Sequence, residues 1–527
     1  MSHSPRAGAW VLLGALGLGV LLVGIELMVT AVALPQIIAD LADWTRLREA
    51  SWIVNAYLVA YIAVMPLCGR AADRHSLAAL YGLSLGAFAL GSILCGAAPS
   101  LEWLIAARIV QGAGAGAIFP LATAAAGHLF EGQSRARAIG VIGALSFLGM
   151  AAGPVIGAAV LSLEVPMGAL TAPAWRWIFY LPAPLAVLSG LYLWAAAPAW
   201  PRQSATGRLD LAGGALFTSG LALALVALTT VGADGSPDPL LLAGAGGILL
   251  ALAFVRFGRA ADPFIDLRMF RDRTFTGATL MSLITGYSLA TAIIGAAVFV
   301  DRVRYAGPAE QQLTLGALAG AMAIGALGAG FLVRPMGVMV PSIAGLLAEI
   351  GGLLLMSRAD PTTDLATLCA ALALFGVGFG VTVTARTTGA LEALGRKAFG
   401  VGSAVLTVAR MIGMGTGLAA LTVLGSNRIE ALSVVLTDQV ARDAVLPLAL
   451  RGRPLEDYLV VDALERWAAV EAAQILAWTF LVAAVVTAVA ILPTLAMRNR
   501  PGSHARSAEG EEVGNVVEEA SRAGLAI

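Results

Sequence analysis

The sequence predicts an all-α membrane protein that crosses the bilayer fourteen times, and three observations predict it. Of 527 residues, 59% are hydrophobic and only 13% charged, against about a quarter charged in soluble domains. Apolar runs of about 20 residues, each long enough to cross a hydrocarbon core of about 30 Å as a helix, recur along the chain. With the N terminus in the cytoplasm, the cytoplasmic connections hold the excess of Lys and Arg, as the positive-inside rule requires, so both termini are expected there. Lys397 is the only lysine, and Ala and Gly abound, which points to a high-GC bacterial gene and a multi-pass protein of the bacterial inner membrane.

The runs fall at residues 9–34, 51–69, 77–97, 101–125, 136–161, 174–197, 209–231, 240–257, 274–300, 312–333, 338–356, 365–385, 400–425 and 471–497. The first is too long for a signal-peptide core and lacks a cleavage site, so it is read as an uncleaved span. It carries Glu26. An ionisable residue at membrane depth is a functional-site hypothesis whose partner should be named. That partner is Arg108 in the fourth span: Glu26 lies about 12 Å and Arg108 about 10 Å below the outer ends of their helices, so both fit one layer. Two blander readings stand beside this one, Glu26 as a protonated structural donor and Arg108 as a side chain snorkelling to the outer surface.

Residues 35–50 are expected to form a short outer loop. In the second span Asn55, Tyr57 and Tyr61 recur at helical spacing and, with Gln111, are candidates for lining a common cavity, whereas Trp52 fits a cavity wall or an interfacial anchor equally. The turn Gly69-Arg-Ala-Ala-Asp73-Arg74 then offers a carboxylate to the positive dipole end of a neighbouring helix.

Here the sequence resembles the major facilitator superfamily, whose loop signature has Gly-x-x-x-Asp-Arg. Ser76 stands where a Gly is usual, and Leu77 and Ala78 replace the trailing basic residues. Arg108-Ile-Val-Gln111-Gly112 resembles a second motif of that superfamily. Gly140, Gly149, Gly153-Pro154 and Gly157 resemble its antiporter signature, with Ala158 in place of the final Gly. Small residues at such spacing let helices approach closely, and Pro154 permits a kink. Trp175-Arg-Trp177-Ile-Phe, Asp210-x-x-Gly213 and residues 263–275, with Asp266, Leu267, Phe270 and Phe275, resemble the fourteen-span drug:proton antiporter branch.

The resemblance implies two six-helix halves related by internal repeats, here residues 1–197 and 274–497, with two extra central helices in 198–273 and a polar tail, 498–527, read as disordered. The second-half counterpart of the Asp73 loop, Gly330-Phe-Leu-Val-Arg334-Pro-Met-Gly337, has lost its Asp. Two more charges sit deep in that half, Glu349 and Arg410, the latter in Arg410-Met-Ile-Gly413-Met-Gly-Thr-Gly417, which resembles a motif of the same branch. Either they pair with each other or they face separate cavities.

Residues 426–470 lie on the outer side, where Ile429, Leu432, Val435, Leu436 and Val440 recur at near-helical spacing and a second amphipathic run covers 455–467. They predict an outward helical hairpin of the last two helices, turning near 447–454. Such an extension, like the run from Trp52 to Arg74, resembles actinobacterial lipid exporters.

The resemblances imply a proton-coupled exporter of hydrophobic or amphipathic compounds, with lipids such as triacylglycerides favoured and multidrug efflux as the alternative. Glu26 is the expected proton carrier and Arg108 its partner. The proton gradient supplies the energy with no cofactor. Membrane lipid and cargo are the expected partners of a monomer, with a periplasmic lipoprotein as a candidate partner at the hairpin.

Other classes find little support. No basic patch interleaved with aromatics points to nucleic acid. Cys68, Cys95 and Cys369 lie within spans without metal-ligand spacing, and the four histidines fall at or outside span ends, leaving no catalytic constellation at membrane depth. A non-transporting sensor or scaffold would need more than the short tail.

Overall fold

The computed structural model describes residues 7–41, 47–50, 52–162, 166–167, 170–171, 173–195, 200, 210–230, 238–417 and 438–497. Its long helices, labelled in chain order, are α1 Ala7–Leu41, α2 Trp52–Ala72, α3 Leu77–Gly96, α4 Leu101–Leu129, α5 Gly132–Leu161, α6 in two pieces (Trp175–Tyr180 and Pro182–Ala195), α7 Leu211–Thr230, α8 Pro239–Arg259, α9 Arg273–Val298, α10 Pro308–Met336, α11 Met339–Met356, α12 Leu365–Leu394, α13 Phe399–Gly417 and α14 Tyr458–Val489. Thirteen of these, α9 and α14 with their C-terminal continuations, are long and apolar enough to cross a membrane, and α7 adds a shorter apolar helix.

The helices pack with a repeat. α1 pairs with α5, and α4 with both α2 and α3, while α12 pairs with α10 and α11 in the same way. Glycines carry the α1/α5 crossing: a Cβ on Gly149 would run into the Leu21 carbonyl, and one on Gly153 would lie 2.7 Å from the Ile25 carbonyl oxygen. The α9/α13 crossing repeats the device, because a Cβ on Gly417 would lie 2.7 Å from the Tyr287 carbonyl oxygen. The extra pair, α7 and α8, packs on itself and on α2. Much of α8 faces outward, with Leu240, Leu241 and Ile248 exposed, as expected of a lipid-facing helix.

The sequence motifs of the branch act as fastenings. Asp210 Oδ1 accepts from Gly213 N at 3.0 Å and Arg256 Nε at 2.8 Å, tying α7 to α8. Trp175 Nε1 donates to Asp40 Oδ2 at 3.0 Å, and Arg176 Nη1 donates to the carbonyls of Gly96 and Ala98. Together they fix α6 against α1 and α3.

Several boundaries correct the sequence reading. α1 continues through Pro35 to Leu41, where a loop was expected; Ile37 and Ile38 are buried there, and their packing outweighs the one hydrogen bond proline removes. α12 runs to Leu394 instead of ending at residue 385. Leu181 breaks α6 just before Pro182. The outer connection between α5 and α6 contains a two-residue antiparallel ladder, Pro166–Met167 with Leu170–Thr171, the one departure from an all-helical chain among the described residues.

Beyond the membrane, α14 begins at Tyr458 and runs without a break into the last span. Before it, Gln439–Val445 is helical and Leu448–Leu450 forms a 3-10 turn, with Gly452 in the left-handed region at φ 74°. Leu446, Val460 and Leu464 form a small core of their own. Residues 418–437, which hold most of the predicted first arm, and the tail 498–527 lie outside the described residues. The three cysteines are free thiols.

Candidate functional site

Glu26 and Arg108 reach each other in the middle of the first half. Glu26 has no exposed surface and Arg108 is 1% exposed, which excludes snorkelling. Arg108 Nη1 donates to Glu26 Oε1 at 2.5 Å and also to Gln111 Oε1 at 2.7 Å, while its Nε donates to the Ile53 carbonyl at 3.0 Å. Thr30, one turn along α1, donates to the same Glu26 Oε1 at 3.1 Å. Glu26 Oε2 is buried without a hydrogen-bond partner. The ion pair is thus one-sided: one carboxylate oxygen takes two donors and the other takes none. Dehydrating each ion costs several kcal/mol, so such a pair persists only with this kind of added hydrogen bonding.

Gln111, read from sequence as cavity lining, is instead fully enclosed. Its Nε2 donates to Ser92 Oγ at 2.8 Å, which sets its oxygen toward Arg108. Tyr57 and Tyr61 are buried and stacked, with ring centroids 5.8 Å apart, and the Arg108 guanidinium lies 4.0 Å from the Tyr57 centroid. Asn55 is half-buried and lies outside this network.

In the second half, Glu349 and Arg410 face separate surroundings. Glu349 Oε1 accepts from Thr382 Oγ1 at 2.8 Å, and its charged neighbour is Arg386, which was not singled out from sequence. Arg386 is 2% exposed, donates to Thr285 Oγ1 at 2.7 Å and lies 5.6 Å from the Phe379 ring centroid. Ending the twelfth span at residue 385 put it just outside the membrane. The signal that would have kept it inside is the small and apolar run Gly389-Ala390-Leu391 beyond it.

Arg410 is 8% exposed and meets the Phe119 ring of the other half at 5.5 Å, with Tyr61 in electrostatic reach. Its Nε is buried without a hydrogen-bond partner. A desolvated cation–π contact is worth about 2 kcal/mol or somewhat more, against the several kcal/mol that dehydrating a guanidinium costs.

The two halves are latched at the end of the bundle where α1 begins. Asp73, in the turn after α2, accepts from Gly400 N at 2.6 Å and from Val401 N at 2.9 Å, so it sits on the N-terminal dipole of α13. Gly69 lets α2 come this close, since a Cβ there would lie 2.6 Å from the Gly400 carbonyl oxygen. Ser76, in place of the usual Gly, caps α3 through Ala79 N at 3.4 Å. Arg70 and Arg74 both bind Asp262, fastening the loop after the extra helices to the same turn. The second-half counterpart has no acid to make such a latch, and its Arg334 is exposed.

α5 and α10 also meet at this end, where a Cβ on Gly140 would lie 2.6 Å from the Ala326 carbonyl oxygen and Gln133 donates to the Gly330 carbonyl at 3.3 Å. The antiporter-like stripe therefore divides: Gly140 faces the other half, whereas Gly149, Gly153 and Gly157 face α1. Toward the opposite end of the bundle lies a narrow apolar cleft lined by Met28, Met150, Pro154, Ile293, Leu315 and Met322 among others.

Burial pushes the Asp73 carboxyl up to about 7, against the opposing pull of its two backbone donors. A carboxyl whose proton affinity is higher latched than solvated favours the latched state as pH falls from about 7 toward its ordinary range near 4, by about 1.4 kcal/mol per pH unit. Spin labels at His75 and Ala393, exposed on opposite halves, are expected to show more of the short distance at pH 6 than at pH 8. Asp73→Asn, neutral at every pH, should flatten this response and hold the population at the short distance at both pH values. A wild-type distribution independent of pH contradicts the assignment.

The sequence profile described as Major Facilitator Superfamily matches residues 16–418. A triacylglyceride transporter of Mycolicibacterium hassiacum is 32% identical over 443 residues, covering 81% of each chain. A triacylglyceride transporter of Mycobacterium tuberculosis is 30% identical over 464 residues, covering 84% of this chain and 87% of that one. The multidrug transporter MdtP of Bacillus subtilis is 27% identical over 417 residues, covering 78% and 74%. Among solved structures, a bacterial homologue of the human lysosomal transporter Spinster, inward-facing and unoccupied, superposes with a TM-score of 0.58 at 18% identity, covering 95% of this chain and all of that one. The proton:xylose symporter XylE superposes at 0.59 with 12% identity, covering 92% and 95%. At such identities these two report the fold alone.

Proposed function

The chain belongs to the major facilitator superfamily and is a multi-pass bacterial membrane transporter, and from that footing we propose that it is a proton-coupled exporter of lipids. Residues 1–197 and 274–497 rock about the cleft between them, carrying residues 198–273 alongside. The observation that carries the proton coupling is the one-sided pair: Glu26 is wholly buried, bound through Oε1 to Arg108, with Oε2 free. Two effects compete over its proton, dehydration favouring the neutral acid and the Arg108 charge favouring the carboxylate. A rocking motion that changes water access or the Arg108 distance switches between them, which is what exchange of a proton for cargo requires. The Asp73 latch closes the cytoplasmic side of the conformer described here, and its release belongs to loading.

Lipid is favoured over other cargo by three features: the apolar lining of the cleft, the outer extension of α14 with its own small core, and the similarity to proteins named triacylglyceride transporters. A periplasmic lipoprotein is the partner we propose for that extension. The similarity to MdtP favours drug efflux as the second reading. Reconstituted protein is expected to export fluorescent triacylglycerol, and deletion of residues 427–467 is expected to stop that export while ethidium efflux continues. Lipid export unchanged by the deletion in a folded protein would rule out the role given to the extension.

A further inference from the structure

We propose that Arg410 is the docking point for an anionic headgroup, so that the cargo this transporter takes includes amphiphiles with an acyl tail and one carboxylate or phosphate. This rests on the exporter reading and names a charge requirement within it. Three arginines lie deep in the bundle. Arg108 has Glu26 and Arg386 has Glu349 as a neighbour, which uses both deep acids. Arg410 is left with no acid and no hydrogen bond among the described residues.

The described neighbours of Arg410 supply no anion. α4 offers the face of Phe119 and α2 offers Tyr61. α12 offers Arg386, a like charge within electrostatic reach. On α9, Gly286 lies against the Arg410 backbone, and one turn away on the same face Ser282 Oγ is a second buried polar atom without a partner. Two cations and an aromatic wall make a site of positive potential at the boundary between the halves. A guanidinium matches a carboxylate or phosphate with two parallel hydrogen bonds.

The apolar cleft lies beyond this point on the same helix. Ile293, which lines it, is seven residues along α9 from Gly286, about 10 Å toward the outer side. A headgroup at Arg410 therefore has its tail directed into the cleft between α5 and α10. A neutral glyceride would leave the guanidinium without a counter-charge.

The test compares three probes with one acyl chain in common, oleate, 1-oleoyl lysophosphatidate and 1-oleoyl glycerol, binding to the full chain in phosphatidylcholine nanodiscs. At least one anionic probe is expected to bind about tenfold more tightly than the neutral one. Preference for oleate alone or for lysophosphatidate alone identifies the headgroup. Arg410→Gln, checked for folding by size exclusion, should abolish the preference, and Arg410→Lys should keep most of it. Equal affinity for all three probes in the wild type overturns the proposal, as does a preference that survives in Arg410→Gln. Gradient-driven export of triacylglycerol or ethidium is measured in parallel: if neither moves, the exporter reading fails, whereas export without the anionic preference sinks this proposal alone.

Discussion

Replacing Arg108 with Leu is expected to abolish gradient-driven transport and to destabilise the protein by about 3–5 kcal/mol, the range for removing one partner of a buried ion pair. Arg108 is the hub of its layer, bonded to Glu26, to Gln111 and to the Ile53 carbonyl. Without it, Glu26 keeps a single donor, Thr30. Taking up a proton relieves part of the cost, and the same proton then stays bound whichever way the halves face. The double variant Arg108→Leu with Glu26→Gln removes both charges and should recover much of the lost stability, read from thermal unfolding, without recovering transport. Recovery of both would make the pair structural rather than coupling.

The second large effect is expected at Gly149. Its Cβ position is occupied by backbone, the Leu21 carbonyl, Gly24 Cα and Ile25 N, and backbone cannot rotate away as a side chain can. Gly24 faces back onto Gly149 in the same way. Glu26 stands two residues beyond Gly24, so separating α1 from α5 moves the carboxylate relative to Arg108. Overpacking of this kind costs about 1–3 kcal/mol or more. Gly149→Ala should fold with a lower unfolding temperature and transport reduced about tenfold, and Gly149→Leu should yield no folded protein. Wild-type transport by Gly149→Leu would mean that this crossing does not set the geometry of the pair.

Much of this was legible because membrane helices obey a fixed rise. Depth alone put Glu26 and Arg108 in one layer, and the spacing of Gly149, Gly153 and Gly157 marked a helix-facing stripe, although not which helix each glycine would meet. Asp73 was readable as a helix-capping carboxylate, but its target, α13, is more than 300 residues away in sequence, and only the packing of the halves brings them together. Arg386 escaped because Thr384, Thr387 and Thr388 look like the end of a span. In the structure Thr384 and Thr388 are buried and spend their hydroxyls on the carbonyls of Ala326 and Thr384, so the polar run stays in the membrane. Likewise Pro35 looked like a helix end, and the burial of Ile37 and Ile38, a tertiary effect, overrode it. The partnership of Glu349 with Thr382 and Arg386 depends on which faces of α11 and α12 meet, which one sequence does not reveal.

The most direct measurement of the central claim is cargo export from proteoliposomes with and without an imposed proton gradient, for wild type and Glu26→Gln. Glutamine keeps the size of Glu26 and its hydrogen bonds to Thr30 and Arg108 but cannot exchange a proton. Wild-type export should accelerate with the gradient, while Glu26→Gln should export at one slow rate in both conditions. Gradient-dependent export at the wild-type rate by Glu26→Gln would contradict the assignment of the coupling proton to Glu26.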